Sequence, residues 1–403
     1  MTRVLVIDEA LPHPPDSGKR IRTWELLTRL TDQFEVTLAY HDEGQTPPEA
    51  VAAARDAGLD LLPVSRAPLK KRGLRFAWDL GRNLLLRVPY MVMAHRTRAM
   101  REAVRAAHTA RPFDVAHVEW TPLVANLGAD WPTPVCIAAH NVESDIWRRY
   151  LENEKGFARR RYIAVQYRKV QRFEQQALRD ASAVTAVSEQ DGDRIRTWAG
   201  QEDVVVVPNG VNAAYFAPDP TTQRAPHEIV FVGSLEWRPN LDGMVWFFDE
   251  VLEPLRARCP DVTLSIVGRN PPAWLEARAA TLGGVTVHGS VPDVRPYVAR
   301  AAVSAVPLRI GGGSRLKICE SLSMETPVVS TAVGAEGLSL PGGVVIADEA
   351  AAFAAALAEA LEDPAAAMTC AQKGRSQVLE RYEWGTIAPL QAELWQRLSD
   401  GRA

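Results

Sequence analysis

The feature that most limits how this chain can fold is a repeated alternation of short apolar runs with longer helical stretches. The runs are rich in Val, Ile and Ala and apolar on both faces, which is typical of parallel strands covered by helices on each side. In the first half they lie at Val4–Asp8, Phe34–Tyr40, Asp114–Val118, Val135–Ala139, Ala183–Val187 and Val204–Val207. Helical stretches between them include Arg20–Thr31, Thr97–Ala110, Arg159–Arg179 and Gln190–Trp198. This alternation predicts βαβ units in a parallel sheet.

A polar, proline-containing segment at Ala217–His227 interrupts this pattern, which then begins again. The second series of predicted strands is Glu228–Gly233, Val262–Val267, Val285–His288, Ser304–Pro307, Pro327–Ser330 and Val344–Ile346. A length of 403 residues also favours more than one domain. We therefore predict an α/β chain of two doubly wound, Rossmann-like domains, at 1–207 and 228–385. Residues 208–227 form the junction and linker, and a C-terminal helix at 386–403 packs back on the first domain.

Composition and charge exclude several classes of protein. Hydrophobic residues make up 47% of the chain and charged residues 24%, as in ordinary globular proteins. The formal net charge of -3 gives no basic field, so a nucleic-acid partner is not expected. The four cysteines lack the spacing of zinc ligands, and no apolar run is long enough for a membrane span. The N-terminus lacks the pattern of a signal peptide, so a cytoplasmic location is expected.

The most informative motif is a glycine-rich segment that follows a predicted strand and opens a helix. Three glycines and Ser314 allow a ligand close to free backbone amides at the positive end of the helix. Arg315 and Lys317 add cations in the first turn, which suits a diphosphate. Glu320, on the same helix, is suited to accept hydrogen bonds from a ribose diol. The alternative is a glycine turn followed by a helix with solvated charges.

Four further segments stand where a doubly wound sheet binds ligands or where the two halves join. They are the loop Pro12–Arg20 containing Gly18, the segment Ala138–Glu143 containing His140, the turn Val207–Asn212, and Phe231–Asn240 containing Arg238. The strand-end positions favour ligand contacts. Each segment also has a purely structural alternative. In the same order, these are a proline-rich surface loop, a histidine without a catalytic role, a tight turn, and a surface charge at Arg238.

In this order, the five segments resemble glycosyltransferase family 4, whose members have the GT-B fold of two Rossmann-like domains facing a central cleft. The family pattern has a glycine loop after the first strand, a His after a middle strand, V-P-N-G-V near the junction, F-V-G in the second domain and a Glu-x7-Glu signature. The segment from Gly311 to Thr331 is similar to a bacterial subgroup of sugar transferases. The resemblance covers nearly the whole chain.

The resemblance implies roles for individual residues. The first domain is expected to bind the acceptor, with Gly18 and His140 as catalytic residues that contact the donor phosphate or sugar. The second domain is expected to bind the nucleotide sugar, with Glu320 on the ribose. The implied diphosphate contacts are Arg315, Lys317, Arg238, Gly312, Gly313 and Ser314, and the implied base-flanking residues are Gly268, His288 and Val291.

This sequence departs from the family pattern at three positions. The first Glu of the signature is replaced by Gly312, so the identity of the sugar is open. The usual Arg and Lys after F-V-G fall at Ser234 and Asn240. Arg238, and Arg315 with Lys317, are candidates to supply the missing cations.

The function implied is retaining transfer of a sugar from a nucleoside-diphosphate sugar to a hydroxyl acceptor, in synthesis of a glycan, polysaccharide or glycolipid. No cofactor or metal is expected, because fixed cations and helix-end amides can stabilise the leaving diphosphate. The Asp191-Gly192-Asp193 motif resembles a metal site, but its place after Ser188 is typical of a helix start. The alternatives are a sugar-nucleotide epimerase of the same fold and a non-catalytic nucleotide-binding module.

The acceptor is expected to be a sugar, a lipid-linked molecule or a small molecule. Two basic stretches alternate with apolar residues, one at 68–76 containing Lys70, Lys71, Arg72 and Arg75, the other at 157–172. Such surfaces fit peripheral contact of the first domain with anionic lipid at the inner face of a membrane. Solvated helix faces are the alternative.

Overall fold

The computed structural model describes residues 1–69, 72–310 and 316–401, and it divides into two compact units. The first unit comprises Met1–Pro208 with Ala388–Ala403, and the second comprises Asn209–Ile387. Each unit is built on a parallel sheet and the helices that connect its strands.

The strands of the first unit are short and buried. They are β1 (Thr2–Asp8), β2 (Phe34–Asp42), β3 (Asp60–Ser65), β4 (Val115–Val118), β5 (Val135–Ala139), β6 (Ala183–Ala186) and β7 (Val204–Val206). Their order in the sheet is β3-β2-β1-β4-β5-β6-β7, and each neighbouring pair is parallel. From β1 the chain adds β2 and β3 on one side of the sheet, and it then returns to add β4 to β7 on the other side of β1. The switch point between β1 and β4, at the carboxyl ends of the strands, is where doubly wound sheets bind ligands.

Burial explains why the strands of this sheet could be predicted, with one exception. Val4, Leu5, Val6 and Ile7 of β1 are fully buried, so successive side chains are covered on both faces of the sheet. Strand β3 was not predicted, because it contains Pro63 and alternates irregularly. It lies at the edge of the sheet beside β2, where a residue without an N–H is tolerated.

The helices of the first unit connect these strands. They are α1 (Gly18–Leu30), α2 (Pro48–Asp56), α3 (Leu74–Leu85), α4 (Tyr90–His95), α5 (Arg98–Ala110), α6 (Glu143–Asn153), α7 (Phe157–Asp180) and α8 (Glu189–Ala199), with a 3-10 segment at Thr121–Asn126. Helix α8 confirms the interpretation of the Asp191-Gly192-Asp193 motif. The Ser188 hydroxyl accepts a hydrogen bond from the backbone N–H of Asp191 at 3.1 Å, and Arg196 pairs with Asp193 at 2.7 Å.

The second unit repeats the arrangement. Its strands are β8 (Ala225–Val232), β9 (Thr263–Val267), β10 (Val285–Gly289), β11 (Ala301–Val306), β12 (Val328–Ser330) and β13 (Val345–Ile346), in the order β10-β9-β8-β11-β12-β13. All neighbouring strands are parallel. The switch point here lies between β8 and β11.

The helices of the second unit surround a core that includes Phe231, Phe247 and Phe353. They are α9 (Arg238–Trp246), a π-helical segment (Phe247–Val251), α10 (Leu252–Arg258), α11 (Ala273–Thr281), α12 (Arg295–Arg300), α13 (Leu316–Ser323), α14 (Ala350–Glu362) and α15 (Pro364–Arg381). Helix α16 (Trp384–Ser399) begins in the second unit and lies mostly in the first, where Trp395 is fully buried and packs edge-on against Phe34.

The Asn-Gly turn predicted near the junction is held by close backbone packing. A methyl group at Gly210 would lie 2.6 Å from Ile387 Cδ1 and 2.7 Å from the carbonyl oxygen of Tyr382. The next residue, Val211, donates its N–H to that same carbonyl at 2.7 Å. Glycine is therefore required at this turn by the lack of space.

These two sheets confirm the predicted fold class, a two-domain α/β protein with doubly wound parallel sheets. Across the described ranges, no helix is both long enough and apolar enough to cross a bilayer. Cys136, Cys259, Cys319 and Cys370 are free thiols.

Candidate functional site

The carboxyl edge of the second sheet is lined by glycines that bring three strands into close contact. A methyl group at Gly268 would lie 1.8 Å from the carbonyl oxygen of Gly233, so the backbones after β8 and β9 touch directly. Gly268 donates its N–H to the carbonyl of Gly289 at 3.0 Å, which joins the end of β10. Glycine is therefore required at this edge because the neighbouring backbone leaves no room for a side chain.

Lys317, in the first turn of α13, extends to the turn that follows β8. Its ammonium donates a hydrogen bond to Asn240 Oδ1 at 2.9 Å and lies 4.4 Å from the centre of the Phe231 ring. The Asn240 side chain is buried and donates to the carbonyl of Ser234 at 2.8 Å. Gly233 leaves the room that this needs, since a methyl group there would lie 2.8 Å from the ammonium.

The contact between Lys317 and Asn240 bears on the departure from the family pattern. Asn240 stands where the family usually has a lysine, and the structure brings the Lys317 ammonium to within hydrogen-bonding distance of it. A cation is thus present at this turn, although it comes from α13. Sequence spacing alone did not show that these two positions meet.

Glu320 lies three residues beyond Lys317, on the same side of α13. Burial raises the pKa of its carboxyl group to about 7, although the positive charge of the nearby Lys317 lowers the pKa in part. A half-buried carboxyl group beside a cation can accept hydrogen bonds from a diol once it is ionised. Its predicted role as a ribose ligand remains a prediction.

Four predicted diphosphate contacts, Gly312, Gly313, Ser314 and Arg315, lie outside the described residues. Arg238 is the first residue of α9, and its side chain is exposed. Val291 packs partly buried against the core residues Val230, Val267 and Ala301.

His288, predicted to flank the base, contacts a polar network inside the second unit. Its Nε2 lies 3.2 Å from Ser265 Oγ, and that hydroxyl donates to Glu228 at 2.7 Å, which also pairs with Arg300 at 2.7 Å. Burial, and then the charge of Arg300, lower the pKa of His288. These residues line a cavity of about 280 Å³. The cavity also reaches Thr263, the first residue of β9, so it extends toward the amino ends of the strands.

In the first unit, His140 follows β5 at the carboxyl edge and is held by Glu119, which follows β4. His140 Nε2 lies 2.7 Å from the backbone oxygen of Glu119 and 3.0 Å from its Oε2. The same carboxylate accepts a hydrogen bond from Thr23 of α1 at 3.1 Å. Its Oε1 lies 3.3 Å from His117 Nε2, and Trp395 donates to Nδ1 of that ring at 3.2 Å.

These contacts define which nitrogen of His140 carries the proton. Burial raises the pKa of Glu119, but hydrogen bonds from His117 and His140 outweigh it and hold the pKa well below its usual range. Both groups facing Nε2 are therefore acceptors, so Nε2 is the donor. Burial lowers the pKa of His140 despite the Glu119 carboxylate, which raises it. The neutral ring then has its lone pair on Nδ1.

The loop after His140 is fixed from the other side by α7. The buried Glu174 carboxyl group accepts the N–H groups of Glu143 and Ser144, the first residues of α6, at 2.6 and 2.9 Å. Two backbone groups at the start of a helix are thereby satisfied. Glu119 and Glu174 together set the position of the segment that carries His140.

Gly18 is the first residue of α1, directly after the loop that follows β1. Ser17 stands at the N-cap with an extended backbone, its side chain makes no capping hydrogen bond, and the first helical turn has no acidic residue. The adjacent Lys19 is paired with Asp8 and Glu9. Burial raises the pKa of Asp8 to about 6, against the charge of Lys19, which lowers it.

The sequence did not identify Glu119, Glu174 or Asn240 as residues that hold others in place. Glu119 follows directly after β4, and a polar residue at that carboxyl edge was an available signal. Among the residues that the structure describes, no group of three His, Cys, Asp or Glu side chains is arranged to hold a metal ion.

Two family models match the chain, one in each unit. The model described as "Glycosyl transferase 4-like domain" matches residues 17–210. The model described as "Glycosyl transferases group 1" matches residues 226–363.

Curated relatives match about half of the chain. The chain is 28% identical over 241 residues to the GDP-mannose-dependent alpha-(1-6)-phosphatidylinositol monomannoside mannosyltransferase of Mycolicibacterium smegmatis, covering 53% of this chain and 62% of that protein. It is 30% identical over 220 residues to the phosphatidyl-myo-inositol mannosyltransferase of the same organism, covering 51% and 56%. The glycogen synthase of Mycobacterium tuberculosis is 26% identical over 243 residues, covering 57% of each chain. The match thus spans less than two thirds of each relative.

Solved structures share the fold over the whole chain. Sucrose-phosphate synthase from Thermosynechococcus elongatus superposes with a TM-score of 0.74 at 18% identity, covering 100% of both chains. Anabaena HepE, solved in complex with UDP and glucose, has a TM-score of 0.68 at 15% identity, covering 98% of this chain and 100% of that one.

Proposed function

Because this chain belongs to glycosyltransferase family 4 and has the GT-B fold, we propose that it transfers a sugar from a nucleoside-diphosphate sugar to a hydroxyl acceptor with retention of anomeric configuration. The observation that carries the proposal is the Lys317 ammonium, which Asn240 and Phe231 hold at the carboxyl edge of β8. The acceptor belongs to a glycan, polysaccharide or glycolipid under synthesis. The transferred group is a hexosyl or related sugar.

Stabilising the diphosphate as it leaves is the main electrostatic task of such a reaction. Lys317 supplies a fixed positive charge where the backbone leaves β8, held by Asn240 and the Phe231 ring. A protein cation at this point can carry out the charge stabilisation without a metal ion. We assign Lys317 to the donor diphosphate on this ground.

Transfer with retention follows from attack on the same face that the diphosphate leaves. The bond between the anomeric carbon and the diphosphate oxygen breaks while the bond to the acceptor oxygen forms. The acceptor proton passes to the departing diphosphate, so the step balances without a protein base. His140, neutral with its lone pair on Nδ1, accepts a hydrogen bond from a hydroxyl of the transferred sugar. Gly18 contributes backbone N–H at the start of α1.

A thermal-shift panel tests the donor site directly. Wild type and Glu320→Ala are each heated with UDP, GDP and their sugar conjugates. A ligand at about 100 times its dissociation constant adds about 2.7 kcal/mol to the free energy of unfolding, which is a clear rise in Tm. We expect one nucleotide to raise the Tm of wild type. The same nucleotide should raise the Tm of Glu320→Ala much less. No stabilisation of either protein at millimolar nucleotide would contradict a nucleotide-sugar donor.

Nucleotide affinity is expected to rise with pH through the titration of Glu320. Below a pKa of about 7 the carboxyl group is protonated and accepts hydrogen bonds poorly, whereas above it both oxygens accept them. The diol favours the ionised form, so binding lowers the pKa and the affinity for nucleoside diphosphate increases about ten-fold between about pH 6 and 8. Isothermal titration at several pH values measures this.

Glu320→Gln is the matched control for the pH series, because it keeps the shape of the side chain and removes its titration. Ionisation of the nucleotide phosphates affects both proteins equally, so the difference between the two pH profiles belongs to Glu320. Profiles of equal slope would show that this carboxyl group does not bind the ribose in its ionised form.

A further inference from the structure

Helix α3 of the first unit exposes large apolar side chains to solvent. Leu74, Trp78 and Leu85 are 92%, 71% and 89% exposed. Single exposed apolar residues are common, but three on one short helix form a patch of the kind that marks an interaction site.

These three side chains lie on one face of α3. At 100° per residue, positions 74, 78 and 85 fall within an arc of about 40°. The opposite face is anchored in the protein. Phe76 packs edge-on against Tyr90, and the fully buried Asn83 accepts a hydrogen bond from Gln166 of α7 at 2.7 Å. The inner face thus holds the helix in place, and the outer face is exposed although the helix is firmly attached.

Exposed arginines lie on this helix and just beyond both of its ends. Arg72, Arg82 and Arg87 are all exposed, and Asp79 is the acidic residue of the helix. Lys70 and Lys71 precede the helix in the sequence and lie outside the described residues. An apolar face with Trp and Leu at its centre and arginines at its border matches the headgroup region of an anionic bilayer in both polarity and charge.

The helix that anchors α3 begins with a similar group. Phe157 of α7 is 75% exposed, and the Arg161 guanidinium lies 5.4 Å from the centre of its ring. Arg159 and Arg160 beside it are exposed as well. Both basic stretches of the sequence are thus accompanied by exposed aromatic or aliphatic side chains.

We propose that the outer face of α3 is a docking surface for an anionic lipid bilayer. Trp78, Leu74 and Leu85 enter the boundary between headgroups and acyl chains, and the arginines contact lipid phosphates. Three apolar side chains give reversible attachment, not permanent anchoring. This inference goes beyond the proposed glycosyl transfer and does not depend on it, because lipid binding is measured without donor or acceptor.

The test is flotation of the full chain with vesicles, comparing pure phosphatidylcholine with phosphatidylcholine mixed with phosphatidylglycerol. Wild type is expected to float with the anionic vesicles and to be released as salt is raised. Trp78→Ser combined with Leu85→Ser should lower the vesicle affinity about ten-fold or more. Arg82→Glu combined with Arg87→Glu should abolish the preference for anionic lipid. Trp274→Ser is the matched control, since Trp274 is 44% exposed but lies in the second unit.

Each other outcome overturns the proposal. Wild type that floats equally with neutral and anionic vesicles, or with neither, does not use a charged lipid surface. A Trp78/Leu85 variant that floats like wild type places the lipid contact elsewhere. Light scattering that shows a dimer in wild type and a monomer in this variant would assign the face to a second copy of the chain. Unchanged Tm in every variant confirms that the differences do not arise from unfolding.

Discussion

Replacing Lys317 with methionine is expected to lower kcat by about 10²- to 10³-fold, the usual loss when one fixed group that stabilises a developing negative charge is removed. The methionine side chain has nearly the length of the lysine side chain but removes the hydrogen bond to Asn240 and the contact of the ammonium with the Phe231 ring, at about 1 kcal/mol each. Sugar release from the nucleotide donor with acceptor present, measured at saturating donor, gives kcat directly. Binding of the intact donor should weaken less than kcat falls, because negative charge on the leaving oxygen develops during bond breaking.

A second substitution makes this prediction sharper. Asn240 Oδ1 lies 2.9 Å from the Lys317 ammonium, so a lysine at position 240 can bring its own ammonium to nearly the same place. Lys317→Met combined with Asn240→Lys is expected to recover a substantial part of the lost activity. Lys373→Met, which removes an exposed lysine of α15, is the control for the loss of one positive charge. Full activity in Lys317→Met would show that the leaving diphosphate is stabilised elsewhere.

The Lys317 contact shows where prediction from the sequence stopped. The apolar runs predicted the parallel strands, because strands buried on both faces are rich in Val, Ile and Ala throughout. The predicted bounds of β5, Val135–Ala139, agree with the structure at both ends. The positions after strand ends then predicted that His140 and the F-V-G turn lie at ligand-binding edges. Residues 317 and 240 are far apart in the chain, and they come into contact only because β11, which precedes α13, pairs with β8, which precedes α9.

Glu119 and α3 were missed for different physical reasons. A glutamate after a short strand has the same local sequence whether it is solvated or buried, and its contacts with His117, His140 and Thr23 come from three separate segments. The basic residues near α3 were evident, but the sequence could not show which apolar side chains of the helix face inward. Phe76 and Asn83 are directed to the protein, while Trp78 and Leu85 are not.

Replacing Glu119 is expected to affect both stability and catalysis. Glu119→Ala removes the carboxylate that accepts from His117 and Thr23, whereas His140 keeps the backbone oxygen of residue 119 as acceptor. At about 1–3 kcal/mol for each of the two unsatisfied buried donors, the free energy of unfolding should fall by about 2 kcal/mol or more. Urea unfolding monitored by circular dichroism measures this loss. Thr37→Ala, which removes a hydrogen bond to Asp60 elsewhere in the same sheet, is the control and should cost about 1 kcal/mol.

Glu119→Gln separates the catalytic effect from the structural one. The amide keeps the size of the side chain but has one acceptor oxygen in place of two, so it cannot accept from both histidine rings, and its NH₂ group faces a ring nitrogen that is itself a donor. His140 then keeps the backbone oxygen of residue 119 as acceptor for Nε2, at 2.7 Å, but loses the carboxylate that raises the pKa of its ring. Nitrogen NMR of the imidazole rings is expected to show a lower pKa for His140 in the variant, and kcat should fall about ten-fold at saturating donor and acceptor. An unchanged His140 pKa together with reduced activity would contradict a role of Glu119 that acts through this ring.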